Sequence, residues 1–149
     1  MSQTAREEIE ALVRERAEAV ENRQTDRLLA QIDADVLDYD VLPPTMSRGT
    51  EASRKALEDW FALYSDGPHY TPHVLQVDAD GDLGCVAYFY HVTGTLTSGD
   101  EMDMWVRSTL VCRRRESGWQ VVHGHESVPF DVETGQALIS EAPPSHEQS

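Results

Sequence analysis

Bases are scarce in this chain. Lys and Arg together number 12 against 27 Asp and Glu, the only lysine is Lys55, and the formal net charge is −15. A polyanion such as nucleic acid is repelled by that field, and so is an anionic membrane surface, so neither is expected as a partner. Solubility is the ordinary use of such acidity, ahead of any specific cationic partner. The one basic run, Arg113-Arg114-Arg115, falls at a hairpin signal and reads as a solvated loop or an intramolecular partner for the acidic surface.

Long apolar runs are missing as well. None approaches the length of a membrane span, and the opening MSQTAREEIEA is polar and helical rather than a secretion signal. A cytoplasmic protein is the expectation that follows. Cysteine is limited to Cys85 and Cys112, both inside apolar strand-like runs and without CxxC spacing, which reads as buried free thiols. No internal repeat or interdomain linker interrupts the 149 residues, so one domain is expected over 1–138, with a mobile tail over 139–149.

What is present suffices for a core. Apolar residues make up 40% of the chain, with three Trp, five Tyr and three Phe, which fits a globular domain rather than a disordered one. Thr4 and Glu7 have capping-box spacing, and Ile9, Leu12, Val13, Ala17 and Val20 recur at helical intervals. Thr25 or Asp26 caps a shorter helix carrying Leu28, Leu29 and Ile32. The stretch ADVLDYDVL reads as a strand ended by Pro43-Pro44, with Val36, Asp38 and Asp40 on one face and Leu37, Tyr39 and Val41 on the other. A third helix begins at Thr50 or Ser53, with Ala56, Leu57, Trp60, Phe61 and Tyr64 as its apolar stripe.

Beyond Gly67-Pro68 the character turns to β. HYTPHVLQVDA, LGCVAYFYHVTGTL, EMDMWVRSTLVCRRR and GWQVVHGHESV are four strand-like runs, separated by Asp80-Gly81, Ser98-Gly99-Asp100 and Ser117-Gly118. The last three form an antiparallel meander. Helices followed by a long sheet make an α+β domain. A sheet of this length curls, the helices cover its concave face, and a cavity is left between helix stripe and sheet.

Strand alternation sets out the candidate site. His123, His125 and Ser127 share one side of the last strand, opposite Val122, Gly124 and Glu126. Trp105, Arg107 and Thr109 share one side of the strand before it, and Phe89 and His91 one side of the strand before that. If the histidine face borders the cavity it is a site; if it faces water the histidines are solvated. The mixed polar and aromatic character of the Trp105–Arg107–Thr109 face favours the cavity. His91, Arg107, His123 and His125, with Asp40 from the strand that leaves the helices, then form a workable set. Arg107 holds a ligand oxygen or pairs with Asp40 or Glu126. Trp60, Tyr64, Phe89 and Trp105 are pocket walls or plain core. The HxH pair with His91 also offers three imidazoles to zinc or iron, a lesser reading, so no metal and no cofactor are assigned.

The order helix, short helix, DYDVLPPTMSRG, aromatic helix, then strands ending in WVRST and GWQVVHGHESVP resembles the nuclear-transport-factor-2-like superfamily, over roughly residues 5 to 138. Within it the chain is most similar to SnoaL-like and ketosteroid-isomerase-like proteins. The resemblance implies a cone of strongly bent sheet closed by helices, an internal pocket for a small, largely apolar ligand, and a homodimer through the outer face of the sheet. It also implies a general-base role for Asp40, which stands nine residues before Gly49 as the isomerases' aspartate stands before its glycine. Tyr39-Asp40 with His91 and His123 or His125 echoes the catalytic set of scytalone dehydratase. The isomerases' first-helix tyrosine has no counterpart here, where the helix carries no tyrosine and is largely Ala, Arg, Glu and Val. The resulting expectation is cofactor-independent acid/base chemistry of isomerase, dehydratase or cyclase type. Asp40 would move the proton, and His123, His125 and Arg107 would stabilise oxygen charge. The alternative is a non-catalytic ligand-binding or assembly module on the same fold.

Overall fold

The computed structural model describes residues 3–144. Helix α1 (Gln3–Glu21) is followed by α2 (Thr25–Leu29), strand β1 (Ile32–Tyr39), the short β2 (Ser47–Arg48) and α3 (Thr50–Ala62). Four long strands complete the chain: β3 (Tyr64–Asp80), β4 (Leu83–Leu96), β5 (Glu101–Arg115) and β6 (Gly118–Ser127). They build one curved, unclosed six-stranded sheet in the order β2-β1-β6-β5-β4-β3. The β4–β5–β6 meander is antiparallel as expected, while β1 runs parallel to β6 and carries its residues to the far side of the meander. This is the α+β arrangement the sequence implies.

Burial decides which face of each strand carries the core. Along β4, Val86, Tyr88, Tyr90 and Val92 are buried and their alternates are not. Along β5 the buried set is Val106, Ser108, Leu110 and Cys112. These residues meet Ile9, Leu12, Val13 and Val20 on the stripe of α1, which packs across β3 and against β4 and β6. The helix approaches so closely that a Cβ on Gly84 would stand 2.6 Å from Ile9 Cδ1, so any larger residue there would have to displace that side chain. On the apolar bookkeeping, burying each of these large side chains contributes about 1.5–3 kcal/mol.

Local boundaries depart from the pattern in informative ways. Helix α1 begins before Thr4, which lies inside it rather than capping it. Helix α2 is preceded by Gln24 and α3 by Gly49, neither making a side-chain cap, and Ser53 sits within α3 donating to the Gly49 carbonyl at 3.3 Å. Strand β3 starts at Tyr64, five residues earlier than the Val- and Thr-rich run suggests, because Tyr64 and Asp66 pair with the end of β4. Both thiols are free, and burial pushes that of Cys112 up to about 11. Of the tail, the Ile139 carbonyl accepts the Trp105 N–H at 2.7 Å, and residues 145–149 lie outside the described residues. Among the described residues no helix is long and apolar enough to cross a membrane.

The end of α1 is fastened to the start of β3. Arg23 takes the left-handed conformation usual for glycine after a helix (φ 52°) and donates to the carbonyls of Tyr64 and Gly67, each at 2.7 Å. Glu21 accepts the Tyr70 N–H at 2.9 Å and meets His69 Nδ1 at 3.1 Å, while Asp66 faces His69 Nε2 at 3.4 Å. Hydrogen bonds to Glu21 first and to Asp66 second raise the His69 pKa above its usual 6.5. Such a histidine stabilises the fold fully below its unfolded pKa, and the contribution is lost as pH rises through the folded value. Denaturant melts at rising pH above 6.5 should therefore show a decline in stability that is shallower in His69→Gln.

Candidate functional site

Helix α1 places an arginine on its own apolar stripe. Arg16 follows Leu12 by four residues and Val13 by three, so it turns with them toward the sheet. Burial works against this cation, but Tyr88 and Tyr70, then Glu126 and Asp38, hold it firmly protonated. Tyrosine hydroxyls carry no charge at neutral pH, so the countercharge there must come from carboxylates. Tyr70 and Tyr88 join hydroxyl to hydroxyl at 2.7 Å, and Tyr70 stacks on Tyr90 with centroids 4.5 Å apart.

The strand registers line up the remaining members. Tyr88 stands opposite Ser108, and Ser108 opposite Glu126, giving one row across β4, β5 and β6. In the next row Leu110 faces Gly124, and Gly124 faces Asp38 of β1. Gly124 leaves space that a side chain would fill: a Cβ there would lie 2.6 Å from Asp38 Oδ1. Asp38, Glu126, Arg16 and the three tyrosines thus share the helix-covered face.

The two carboxyls are pushed to different degrees. Burial, then Asp40 and Asp38, drive the Glu126 pKa up to about 8, against the opposing pull of Arg16 and the Tyr90 hydroxyl. Asp38 is also raised by burial and by Asp40, with Arg16 the strongest opposing influence and His123 a weaker one. Burial likewise lifts the Tyr70 and Tyr90 hydroxyls well above 10. Two titratable groups held apart in this way are a recurrent mark of acid/base sites.

Most residues singled out from sequence lie elsewhere. The expectation that the His123–His125–Ser127 face borders the enclosed side is corrected by the sheet: Phe89, His91, Trp105, Arg107, Thr109, His123 and His125 occupy the face turned away from the helices. The cause is an extra residue in β6, since Val111 pairs with His123 but Cys112 pairs with Val121. Trp119 and Val121 point inward, Val122 is the bulged residue, and beyond it Gly124 and Glu126 point inward instead. On the outer face Tyr39 meets His123 and His125 edge-on at 4.9 and 5.2 Å. His123 Nδ1–H donates to the Leu37 carbonyl at 2.7 Å, and Arg107 Nε–H to Ser127 Oγ at 3.2 Å.

His91 stands apart from the other two histidines. It lies flat on Trp105 at 4.2 Å and meets Asp103 at 2.7 Å. His91 pairs with Trp105, whereas His125 pairs with Thr109, a separation of about 13 Å along β5. Among the described residues no three His, Cys, Asp or Glu side chains come together in a way that could hold a metal ion. Trp60 packs against the core with Phe61 and Tyr64, which is 4% exposed. Asp40 is exposed, and its Oδ1 accepts the Val41 N–H at 2.6 Å in the turn before Pro43. It nevertheless stands close enough to act on both Asp38 and Glu126.

An open groove of about 410 Å³ between α1, α2 and the β5–β6 turn shares no lining residue with this cluster. Its charged walls are already bonded, Arg27 to Glu15 at 2.7 Å and Trp119 Nε1–H to Glu8 at 3.1 Å. Sequence reasoning missed Arg16, Asp38, Glu126 and the tyrosines. Their signal was present as an arginine at stripe spacing and as polar residues alternating with buried valines on β1 and β4.

A sequence-family model described as the SnoaL-like domain matches residues 9–131. Among solved structures, an NTF2-like protein of unknown function from Pseudomonas putida KT2440 superposes with a TM-score of 0.83 at 27% identity, covering 96% of this chain and 99% of that one. A ketosteroid isomerase-like protein from Erwinia carotovora atroseptica SCRI1043 gives 0.72 at 17% identity, covering 80% and 92%. A protein of unknown function with a cystatin-like fold from Nostoc punctiforme PCC 73102 gives 0.72 at 12%, covering 87% and 94%. No curated protein matches the sequence.

Keeping a carboxyl like Glu126 buried has a measurable consequence. Between its usual value of 4.5 and about 8 the folded state binds a proton that the unfolded chain has released, so stability falls as pH rises through that window. Glu126→Gln is expected to raise the melting temperature, with a gain that is small at pH 4.5, grows to about pH 8 and then levels off.

Proposed function

The chain belongs to the SnoaL-like domain family, and from that premise we propose that it is a cofactor-independent acid/base enzyme of isomerase, dehydratase or cyclase type. It acts through an enol or enolate on a small, largely apolar hydroxy or carbonyl compound. The observation that supports this reading is the carboxyl pair beside Arg16. Glu126, with its pKa near 8, holds a proton at neutral pH and serves as general acid. Asp38, whose burial is opposed most strongly by Arg16, serves as general base. Tyr90 orients Glu126, and Gly124 leaves Asp38 its place. Asp40 passes from proton carrier to neighbour: its charge keeps Glu126 protonated while its own oxygen holds the turn.

Exchange of α-hydrogens for deuterium in a panel of small ketones, followed by NMR, tests these roles whatever the natural substrate is. Asp38→Asn and Glu126→Gln should each slow exchange about 10²–10⁴-fold. In the parent the rate should fall above about pH 8, and Glu126→Gln should abolish that limb. Asp40→Asn should retain most of the activity. Equal loss in Asp40→Asn and none in Asp38→Asn would return the base to Asp40. Ligand binding without exchange in the unmodified protein would favour the binding or assembly module.

The same reading extends to a homodimer through the outer face of the sheet, where Tyr39 of β1, Phe89 of β4 and Trp105 and Thr109 of β5 present a mixed aromatic and polar surface. Sedimentation velocity should report a dimer, and Thr109→Arg, on an exposed position at the centre of that face, should convert it to monomer.

A further inference from the structure

The outer face of the sheet gathers hydrogen-bond donors that the acid/base reading leaves unused. Arg107 stands opposite Ser127 and Thr109 opposite His125, so four polar side chains fill two adjacent rungs of β5 and β6. On one face of a sheet such neighbours mark out a rectangle of about 5 by 7 Å. Arg107, Thr109 and His125 are exposed, and Ser127 is half-buried. Arg107 Nε–H donates to Ser127 Oγ at 3.2 Å, which leaves both Nη groups and the serine proton free for a common acceptor. The side chains of Thr109 and His125 make no hydrogen bond among the described residues. Countercharge is missing as well. The chain has 27 acids against 12 bases, yet among the described residues no carboxylate pairs with Arg107 or His125. The acids on and beside these strands are committed elsewhere: Asp103 meets His91 at 2.7 Å, Asp40 Oδ1 accepts the Val41 N–H, and Glu126 turns to the helix-covered face. Aromatic rings flank the array, with Phe89 opposite Arg107 and Tyr39 opposite His125.

We propose that Arg107, Ser127, Thr109 and His125 bind a tetrahedral oxyanion, the phosphate or sulfate group of a small aromatic ester. A guanidinium fork matches the oxygens of such a group, and charge-assisted hydrogen bonds of this kind are the strong ones. Donors at four corners suit three terminal oxygens better than the two of a carboxylate. Phe89 and Tyr39 offer the ester's ring a contact on either side. The net charge of −15 works against any anion, so affinity has to come from these contacts and not from the overall field. The site stands on residues of one chain and draws nothing from the acid/base reading. Only its effect on assembly rests on the proposed homodimer. A second copy over this face and the ester compete for the same side chains, so the ester is expected to favour the monomer.

The probe is phenyl phosphate, titrated at constant ionic strength and followed by its own phosphorus NMR signal and, in the unmodified protein, by the imidazole signals of His125. Saturable binding is expected, about 2–10-fold tighter than that of inorganic phosphate, the gain one aromatic contact supplies. Arg107→Gln should weaken it about 10–100-fold, and Ser127→Ala and Thr109→Val about 2–10-fold each, the losses expected for a charged and a neutral hydrogen bond. These positions lie outside the core, and circular dichroism of each variant checks that the fold is kept. Equal affinity in Arg107→Gln and the unmodified protein overturns the site, as do shifts that sodium chloride reproduces. Benzoate binding as tightly as phenyl phosphate overturns the tetrahedral class in favour of a carboxylate. Sedimentation velocity with and without saturating probe reads the assembly, where a dimer converted to monomer is the expected result. Monomer under both conditions, with binding that still depends on Arg107, leaves the site standing and removes the dimer reading alone.

Discussion

A guanidinium that cannot lose its proton has been placed between a helix and a sheet, and the polar architecture of the domain answers to it. Desolvating a cation costs several kcal/mol unless carboxylates and hydrogen bonds compensate. Arg16 accordingly draws Asp38 from β1, Glu126 from β6 and tyrosines from β3 and β4 to one place. The glycines make the approach possible: Gly84 lets α1 come down onto the sheet, and Gly124 gives room to Asp38. The parallel pairing of β1 with β6 is what brings Asp38 from a strand early in the chain to the last one.

Crowding three acids near one arginine produces asymmetry rather than neutralisation. Glu126 is the carboxyl that yields, taking up a proton because burial and two neighbouring aspartates all disfavour its charge. For Asp38, Arg16 is the strongest influence opposing its burial. Two chemically equivalent side chains become an acid and a base through position alone, and the same crowding makes the folded state less stable than an all-neutral version would be.

Much of the fold is legible in the sequence. The bounds of β4 and β5 coincide with the runs picked out by turn residues, and the antiparallel meander follows from the short hairpins between them. Less of the site is legible. The alternation of Trp105, Arg107 and Thr109 is plain, but alternation names two faces without saying which is inside, and here the more apolar set of Val106, Leu110 and Cys112 takes the core. The inward row of Trp119 and Val121 shares its parity with His123 and His125, so simple alternation turns the histidines inward, and the bulge at Val122 reverses them. No local pattern marks a bulge of this kind, because it arises from pairing with β5. Arg16 is the most visible of the missed residues, since a charged residue at the core spacing of Ile9, Leu12 and Val13 asks for a partner.

The bulge carries a consequence for how this sequence can vary. Because one supernumerary residue separates the stretch that holds Trp119 from the stretch that holds Glu126, whether that residue enters the ladder is a determinant of chemistry in its own right. Substitutions at Val122 change only a side chain. Drawing Val122 into the ladder at unchanged length would turn Glu126 outward and bring His125 toward Arg16, exchanging a carboxylic acid for an imidazole without altering either residue. Deleting Val122 would instead straighten the strand and leave Gly124 and Glu126 inward. The side chain that meets Arg16 is thus chosen by a kink in the backbone, which costs the strand one unpaired residue and leaves no mark in the local pattern.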